Sequence, residues 1–140
     1  GMWVDVWAFD ELANRAEALL AQGRQEEGVA CWRQAVALYA PEGLLPDEVY
    51  LPAPLIEPVR ESLRQRWLAG LRRLAQAEPD GGRAVELWET LHQATPLDQE
   101  TTLWLIEHYR RLGNRDGLRL LLRRRNRAEN ELDGFEMGWE

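Results

Sequence analysis

Arginine is the residue type best placed to do chemistry in this sequence, and that chemistry is the binding of anions. Arginines crowd one segment, at Arg110, Arg111, Arg115, Arg119, Arg123, Arg124, Arg125 and Arg127. A guanidinium group binds a carboxylate or a phosphate through paired hydrogen bonds. Arg115, Arg119 and Arg123 recur every four residues, so on a helix they lie along one side. With Arg124 they predict a docking face for an acidic protein partner, or for the DNA backbone beside a tethered DNA-binding domain.

This basic segment also has a simpler explanation. The residues that follow it are rich in acids, namely Glu129, Glu131, Asp133, Glu136 and Glu140. Opposite charges so close in sequence can neutralise one another within the chain and leave a solvated face without a partner. The net charge of −7 argues against a general surface for nucleic acid or anionic membrane, because such binding depends on neutralising phosphates.

Residue types that carry catalysis or bind metals are sparse. His92 and His108 are isolated on different predicted helices, and the lone Cys31 has no second thiol for a disulfide or a zinc site. We interpret His92 as a helix-end residue that caps or reaches solvent, His108 as a residue at the rim of the core, and Cys31 as a small packed side chain. Motifs for phosphate loops, zinc proteases and nucleophile elbows are absent from the sequence. The sequence therefore predicts no enzyme, no catalytic residue, no metal site and no cofactor.

Composition favours a helical protein in the cytoplasm. The 140 residues suffice for one domain over 1–140, and 45% hydrophobic content with seven tryptophans argues against disorder. Leu, Ala, Arg and Glu dominate the sequence, which favours helix over sheet. No run approaches the roughly 20 apolar residues of a membrane span, and no signal peptide opens the sequence.

The helices that must position these residues are marked by a repeated pattern. Around Trp88 the pattern is a small residue at Ala84, the aromatic ring four positions later, and a proline at Pro96 where the helix must end. This pattern is typical of the second helix of a tetratricopeptide-type unit. It recurs around Trp32 and Leu121. Leu121 follows Trp88 by about the usual 34-residue period. Trp32 precedes Trp88 by many more residues than one period, which predicts an insertion between the first and second units.

The predicted architecture is all-α, with antiparallel helix pairs stacked as a tetratricopeptide-like right-handed superhelix. The pairs are expected at about 5–40, 55–95 and 98–132, separated after the first by a proline-rich insertion at 41–54. The expected core residues are Trp7, Phe9, Trp32, Trp67, Trp88 and Trp104. The insertion is too apolar for a solvated linker, so it is either a strap over exposed apolar surface or a functional loop.

Local signals predict where the helices begin and end. Asp5 is expected to cap the first helix, which Gly23 closes. Pro58 should lie in the first turn of a long helix from Leu55 to Ala77. Residues 80–82 are predicted to form a turn. Asp98 or Thr101 is expected to cap the fifth helix, and Gly113 is expected to end it. The sixth helix is expected over 115–132, with a frayed tail after it.

Stacked helix pairs enclose a concave surface lined by the first helix of each pair, which predicts a groove for a partner. Polar residues of the first and third helices are the candidates for lining it. They are Asn14, Arg15 and Glu17 on the first, and Arg60, Arg64 and Arg72 on the third.

The order of several short motifs resembles one known family. The motifs are DVWAF at 5–9, GLLPD at 43–47, EPVRESL at 57–63, TPLDQE at 95–100 and ELDGFE after the basic segment. Together they resemble the bacterial transcriptional activator domain of SARP-type regulators, over nearly the whole chain. The resemblance implies a tetratricopeptide-like domain that helps a transcription regulator dimerise or contact the transcription machinery.

The resemblance also implies that DNA is read only by an attached domain. The expected partners are accordingly other domains of the regulator, the transcription machinery, or a second copy as a homodimer, with no membrane. Two departures from the repeat pattern stand out. Gly28 and Gly117 occupy positions where such repeats prefer alanine, and Leu121 one where an aromatic residue is usual. The alternatives are a free-standing adaptor that binds a peptide or protein, and a ligand sensor with the proline loop as its lid.

Overall fold

The chain is all-α wherever its structure is described. The structure is a computed structural model that describes residues 2–39 and 53–137, and these residues contain helices and no strand. The helices are α1 (Met2–Ala21), α2 (Gln25–Leu38), α3 (Ala53–Ala77), α4 (Gly81–Ala94), α5 (Gln99–Leu112) and α6 (Arg115–Met137). The predicted all-α fold is therefore confirmed.

The chain divides into two compact units, residues 1–77 and residues 78–140. In the first unit α1 packs on α2 and α2 packs on α3, and in the second α4 packs on α5 and α5 packs on α6. The predicted pair over 55–95 spans the division between the units. That pair, the single domain over 1–140 and the right-handed superhelix stay predictions. Most of the insertion at 41–54, with its predicted strap, lies outside the described residues.

Three predicted helix ends are corrected by the structure. The first helix begins at Met2, so Asp5 lies inside it and does not cap it. The third begins at Ala53, which gives the end of the predicted insertion to the helix and places Pro58 inside the helix beyond its first turn. Pro54 explains this early start, because a proline fits a first turn whose amide hydrogens have no intrahelical partner. The sixth helix continues to Met137, where a frayed tail was expected, because no proline interrupts it.

Local chemistry explains the remaining ends. Asp80 caps α4 by accepting a hydrogen bond from the Gly82 amide at 3.0 Å, so the glycines predicted as a turn form the first turn of the helix. Asp98 caps α5 by accepting from the Thr101 amide at 3.0 Å. Gly113 then closes α5 with φ of 68°, a left-handed conformation that glycine adopts without steric cost.

The core of the first unit is built around Trp32, of which 1% is exposed. Its indole Nε1 donates a hydrogen bond of 2.9 Å to Glu17 Oε1 on α1. Gly70 on α3 lies so close that an added Cβ would be 2.5 Å from Trp32 Cε3. Tyr39, which follows α2, stacks on Trp67 of α3 with ring centroids 4.7 Å apart. The glycine at 70 is thus required by the size of the tryptophan.

Close approach also explains the two glycines that depart from the repeat pattern. A Cβ on Gly28 would lie 2.7 Å from the Leu20 side chain, and one on Gly117 would lie 3.0 Å from the Tyr109 ring. Contacts this short would force the neighbouring side chains to move. Alanine at either position would therefore cost packing energy that offsets its better helix propensity.

The core of the second unit joins α4, α5 and α6. Trp88 is 2% exposed, and Leu91, Leu105 and Leu121 are fully buried. Trp88 stacks on the half-buried Trp104, with ring centroids 5.4 Å apart. Leu121 thus occupies a core position of α6, where the repeat pattern usually has an aromatic residue.

Trp7 is not a core residue, contrary to the sequence prediction. It is 79% exposed, whereas Phe9, two positions later, is fully buried. Residues two apart lie about 200° apart around a helix, so Trp7 and Phe9 must face opposite sides of α1. The motif that contains both of them therefore supplies one residue to the core and presents the other to solvent.

Candidate functional site

The basic face predicted on the sixth helix is positioned by a short turn and a buried contact. Asn114 follows the left-handed Gly113, and its Oδ1 accepts a hydrogen bond of 2.9 Å from the Gly117 amide, which caps the start of α6. Leu121 then anchors one side of α6 in the core. The side opposite Leu121 is consequently turned to solvent.

Three of the four predicted arginines of α6 lie on that solvent side. Arg115, Arg119 and Arg123 are all exposed. Arg119 Nη1 lies 4.0 Å from Asp116 Oδ1, and 69% of its side chain remains exposed. Arg115 and Arg123 form no ion pair with another described residue. These guanidinium groups are therefore available to an anionic partner.

Arg124 points towards α4 instead and is engaged within its own unit, so its predicted role in binding a partner stays a prediction. Its Nη1 lies 2.9 Å from Glu89 Oε2 and 2.8 Å from His92 Nδ1, and both partners belong to α4. The Tyr109 hydroxyl of α5 donates a hydrogen bond to the other oxygen of Glu89. A helix turns by about 100° per residue, so neighbours such as Arg123 and Arg124 cannot share a face. Arg124 holds α6 to α4 and α5.

We name this group the Glu89 cluster, comprising Glu89, His92, Tyr109 and Arg124. The sequence pattern does not reveal this cluster, because its members come from three helices and each one alone is unremarkable. His92, predicted to cap or reach solvent, is fully buried, since it lies one turn beyond Trp88 on the core side of α4. Burial and the hydrogen bond to Glu89 raise the pKa of Tyr109 above its usual value. Its phenol therefore stays a donor across physiological pH.

The cluster determines which nitrogen of His92 carries the proton. Arg124 can only donate, so His92 Nδ1 must accept and the imidazole is neutral with its hydrogen on Nε2. His92 Nε2 is buried and has no hydrogen-bond partner. A second proton would place an N–H on Nδ1 against the N–H of Arg124, and a positive charge beside another. Burial and Arg124 accordingly lower the pKa of His92.

This arrangement predicts that acid destabilises the fold through His92. The folded state holds His92 with a lowered pKa, so below about pH 6.5 the unfolded chain takes up a proton that the folded chain rejects. The free energy of unfolding should therefore fall as the pH is lowered through that value. Urea unfolding followed by circular dichroism at pH 7.5 and pH 5.5 measures the change. A His92→Gln variant is the control, and an equal decrease in the variant would contradict the role of His92.

The remaining predicted partner-binding residues form contacts within their own unit. Arg60 Nη1 lies 3.6 Å from Glu57 Oε1, and Arg64 Nη1 lies 3.8 Å from Glu61 Oε1. Both arginines are half-buried on α3. They are less accessible than the arginines on the outer side of α6, and their role in binding a partner stays a prediction.

The polar residues of α1 that were predicted to line a groove serve mainly to hold helices together. Glu17 accepts from Trp32 and lies 3.4 Å from Arg73 of α3. Asn14 accepts a hydrogen bond from Arg66 of α3. Arg15 is exposed and lies 3.7 Å from Glu11 on its own helix. Asn14 and Glu17 thus connect α1 to neighbouring helices, and their place in a groove stays a prediction.

A small cavity of about 280 Å³ lies in the first unit, lined by residues that include Glu17, Leu20, Val29 and Arg73.

The described residues contain no group of three or more histidines, cysteines or acids that could hold a metal ion. None of the described helices is long and apolar enough to span a membrane. The outer side of α6 is thus the candidate site with the clearest chemistry.

Comparison with protein families decides the identity of the fold. A model of the family described as the bacterial transcriptional activator domain matches residues 4–136. The chain belongs to this family. The match covers the described helices except the first two residues of α1 and the last residue of α6. No curated protein and no solved structure matches the chain.

The resemblance seen in the sequence motifs is therefore confirmed, and with it a place in transcription regulation. The family is a family of regulatory domains. Helix α6 is part of the domain, because the family match covers it. The basic outer side of α6 is thus part of a transcription-regulating domain.

Proposed function

We propose that this activator domain is a protein-interaction or oligomerisation domain of a bacterial transcription regulator. The observation that carries the proposal is the outer side of α6, which combines exposed arginines with an exposed leucine. Leu122 is 44% exposed and lies between Arg119 and Arg123 on the helix. A surface that offers both charge and apolar area is suited to a protein partner.

The charge pattern argues against direct reading of DNA by this domain. The same side of α6 continues from its arginines to the exposed Glu129 and Asp133. A DNA backbone lying along the whole helix would meet these carboxylates as well as the arginines. The chain also carries a net charge of −7, which repels the phosphates of DNA and so opposes its binding. We infer that any DNA contact of the regulator is made by another domain.

The perturbed titratable residues favour a regulatory role over catalysis. The Glu89 cluster is the most perturbed group of titratable residues among those described, and its hydrogen bonds join α4, α5 and α6. Its guanidinium and carboxylate bind one another across these helices, which suits packing and not turnover of a substrate. We infer that the domain is not an enzyme and that it acts in the cytoplasm, where bacterial transcription takes place.

Charge reversal on α6 in the native bacterium tests the proposal. Arg115→Glu, Arg119→Glu and Arg123→Glu should together abolish activation of the regulator's target promoter. Occupancy of the promoter, measured by immunoprecipitation of chromatin, should remain. The matched control reverses three exposed arginines on other helices, Arg15, Arg33 and Arg83. Full activation by the α6 variant would overturn the proposal.

The size of the native gene product distinguishes this role from the runner-up. An immunoblot band well above 16.2 kDa would show that the domain is attached to others, as a regulator requires. A band at the mass of the chain itself would instead support a free-standing adaptor.

A further inference from the structure

The cavity of about 280 Å³ in the first unit lies where three helices begin or end. Leu20 and Ala21 are the last two residues of α1, Gln25 is the first of α2, and Gln76 and Ala77 are the last two of α3. Gln25 and Gln76 are exposed, so the cavity is accessible from solvent. Its volume lies just below the range of about 300 to 1,000 Å³ that is typical of ligand pockets, which suits a molecule as small as one amino acid.

The wall of this cavity carries one charge of each sign. These are the carboxylate of Glu17 on α1 and the guanidinium of Arg73 on α3. Arg73 Nη2 lies 3.4 Å from Glu17 Oε2, which is longer than the roughly 2.7 to 2.9 Å of a strong charged hydrogen bond. Of the two side chains, 50% and 43% are exposed. The pair is therefore loose, and a ligand can take its place at little cost.

Both charged groups keep further capacity for hydrogen bonds. A guanidinium has five N–H donors, and the contact with Glu17 uses one of those of Arg73. The Glu17 carboxylate accepts from Trp32 through Oε1 and from Arg73 through Oε2, but a carboxylate has about four lone-pair sites. The last carbonyl oxygens of α3, at Gln76 and Ala77, have no partner within their helix. The cavity thus offers donors to a carboxylate and acceptors to an ammonium group.

The remaining wall of the cavity is aliphatic. It consists of Leu20, Ala21, Val29 and Ala77. Methyl and methylene groups of this kind gain free energy by covering an aliphatic side chain of a ligand. The charges of the wall balance one another, so a ligand with a net charge would lie against one group of its own sign. A zwitterion with an aliphatic side chain matches both parts of the wall.

We propose that this cavity binds a free aliphatic α-amino acid. The carboxylate of the amino acid pairs with Arg73, its ammonium group pairs with Glu17, and its side chain packs on Leu20 and Val29. The bound amino acid contacts α1, α2 and α3 at once and so stabilises their packing. This inference goes beyond the proposed function and does not depend on it, because it adds recognition of a small molecule to the first unit.

Isothermal titration calorimetry of the whole chain with L-leucine and L-valine tests the proposal. At least one of the two should bind one-to-one with a Kd of about 1 mM or tighter. Two analogues of leucine each lack one charge: 3-methylbutan-1-amine has no carboxylate, and 4-methylpentanoate has no ammonium group. Each analogue should bind at least about tenfold more weakly than leucine, because one charged group of the wall is left without its partner. Absence of binding by both amino acids, or equal binding by either analogue, would overturn the proposal.

Variants of the two charged residues locate the site. Arg73→Gln removes the cation from a half-exposed position, and Glu17→Gln removes the negative charge but keeps an oxygen that can accept from Trp32. Each should weaken binding of the amino acid by at least about tenfold. The matched control is Arg33→Gln, an exposed arginine of α2 outside the cavity, which should bind like the native chain. Native affinity in a helical Arg73→Gln variant would overturn the assignment of the site.

The outcomes separate this inference from the proposed function. The arginines of that proposal belong to α6 in the second unit, and their test is promoter activation. If neither amino acid binds, the cavity has no such ligand and the role of α6 still stands. If charge reversal on α6 leaves activation intact, the proposed function fails, whereas binding of the amino acid is unaffected.

Discussion

Replacing Trp32 by alanine is expected to lower the free energy of unfolding by about 3 to 5 kcal/mol. Trp32 is 1% exposed and packs against Gly70, so its removal leaves a cavity that the surrounding backbone cannot easily fill. The change also removes the indole donor from Glu17. This loss is a large share of the roughly 5 to 15 kcal/mol that stabilises a typical domain.

Trp7→Ala is the matched control for this experiment, because it removes the same side chain from a site that is 79% exposed. Its effect should stay within about 0.5 kcal/mol. Urea unfolding followed by far-ultraviolet circular dichroism measures both variants. Equal losses for the two tryptophans would contradict the placement of Trp32 in the core and Trp7 in solvent.

The second large effect is expected at the Glu89 cluster. Arg124→Ala should lower the free energy of unfolding by about 1 to 3 kcal/mol, because it leaves the Glu89 carboxylate without its cation. Breaking a fully buried pair costs about 3 to 5 kcal/mol, but 28% of the Arg124 side chain and 23% of the Glu89 side chain are exposed, so water screens part of the charge. The expected loss is reduced accordingly.

Arg123→Ala provides the comparison, since the neighbouring arginine faces solvent. It should change stability by no more than about 0.5 kcal/mol. A double-mutant cycle of Arg124→Ala with Glu89→Gln isolates the coupling between the two side chains. Strictly additive losses in that cycle would show that the pair contributes nothing to holding α6 against α4.

The Glu89 cluster also changes how mutations of α6 should be designed. A variant that replaces Arg119, Arg123 and Arg124 together would mix loss of a surface with loss of an internal contact. Weaker binding by that variant would have two explanations. Restricting the changes to Arg115, Arg119 and Arg123 leaves the packing of α6 intact and tests the surface alone.

The helices and most of their limits were predictable because their causes are local. Gly23 and Gly113 adopt positive φ where the chain must leave a helix, and Asp80 and Asp98 accept amide hydrogens two and three residues later. These signals depend on neighbours in sequence. Pro58 was placed too early in α3 because Pro54, four residues upstream, fits the first turn and starts the helix sooner. Asp5 does not cap α1, because that helix already begins at Met2.

The family and the basic side of α6 also follow from the sequence by itself, since both rest on the order and spacing of residue types. Tertiary structure alone decided which arginine faces solvent and which joins the Glu89 cluster, and which tryptophan enters the core. Arg123 and Arg124 have the same chemistry, and so do Trp7 and Trp32. What separates them is the direction in which the packed helix presents each side chain, and that direction is determined by contacts between residues far apart in sequence.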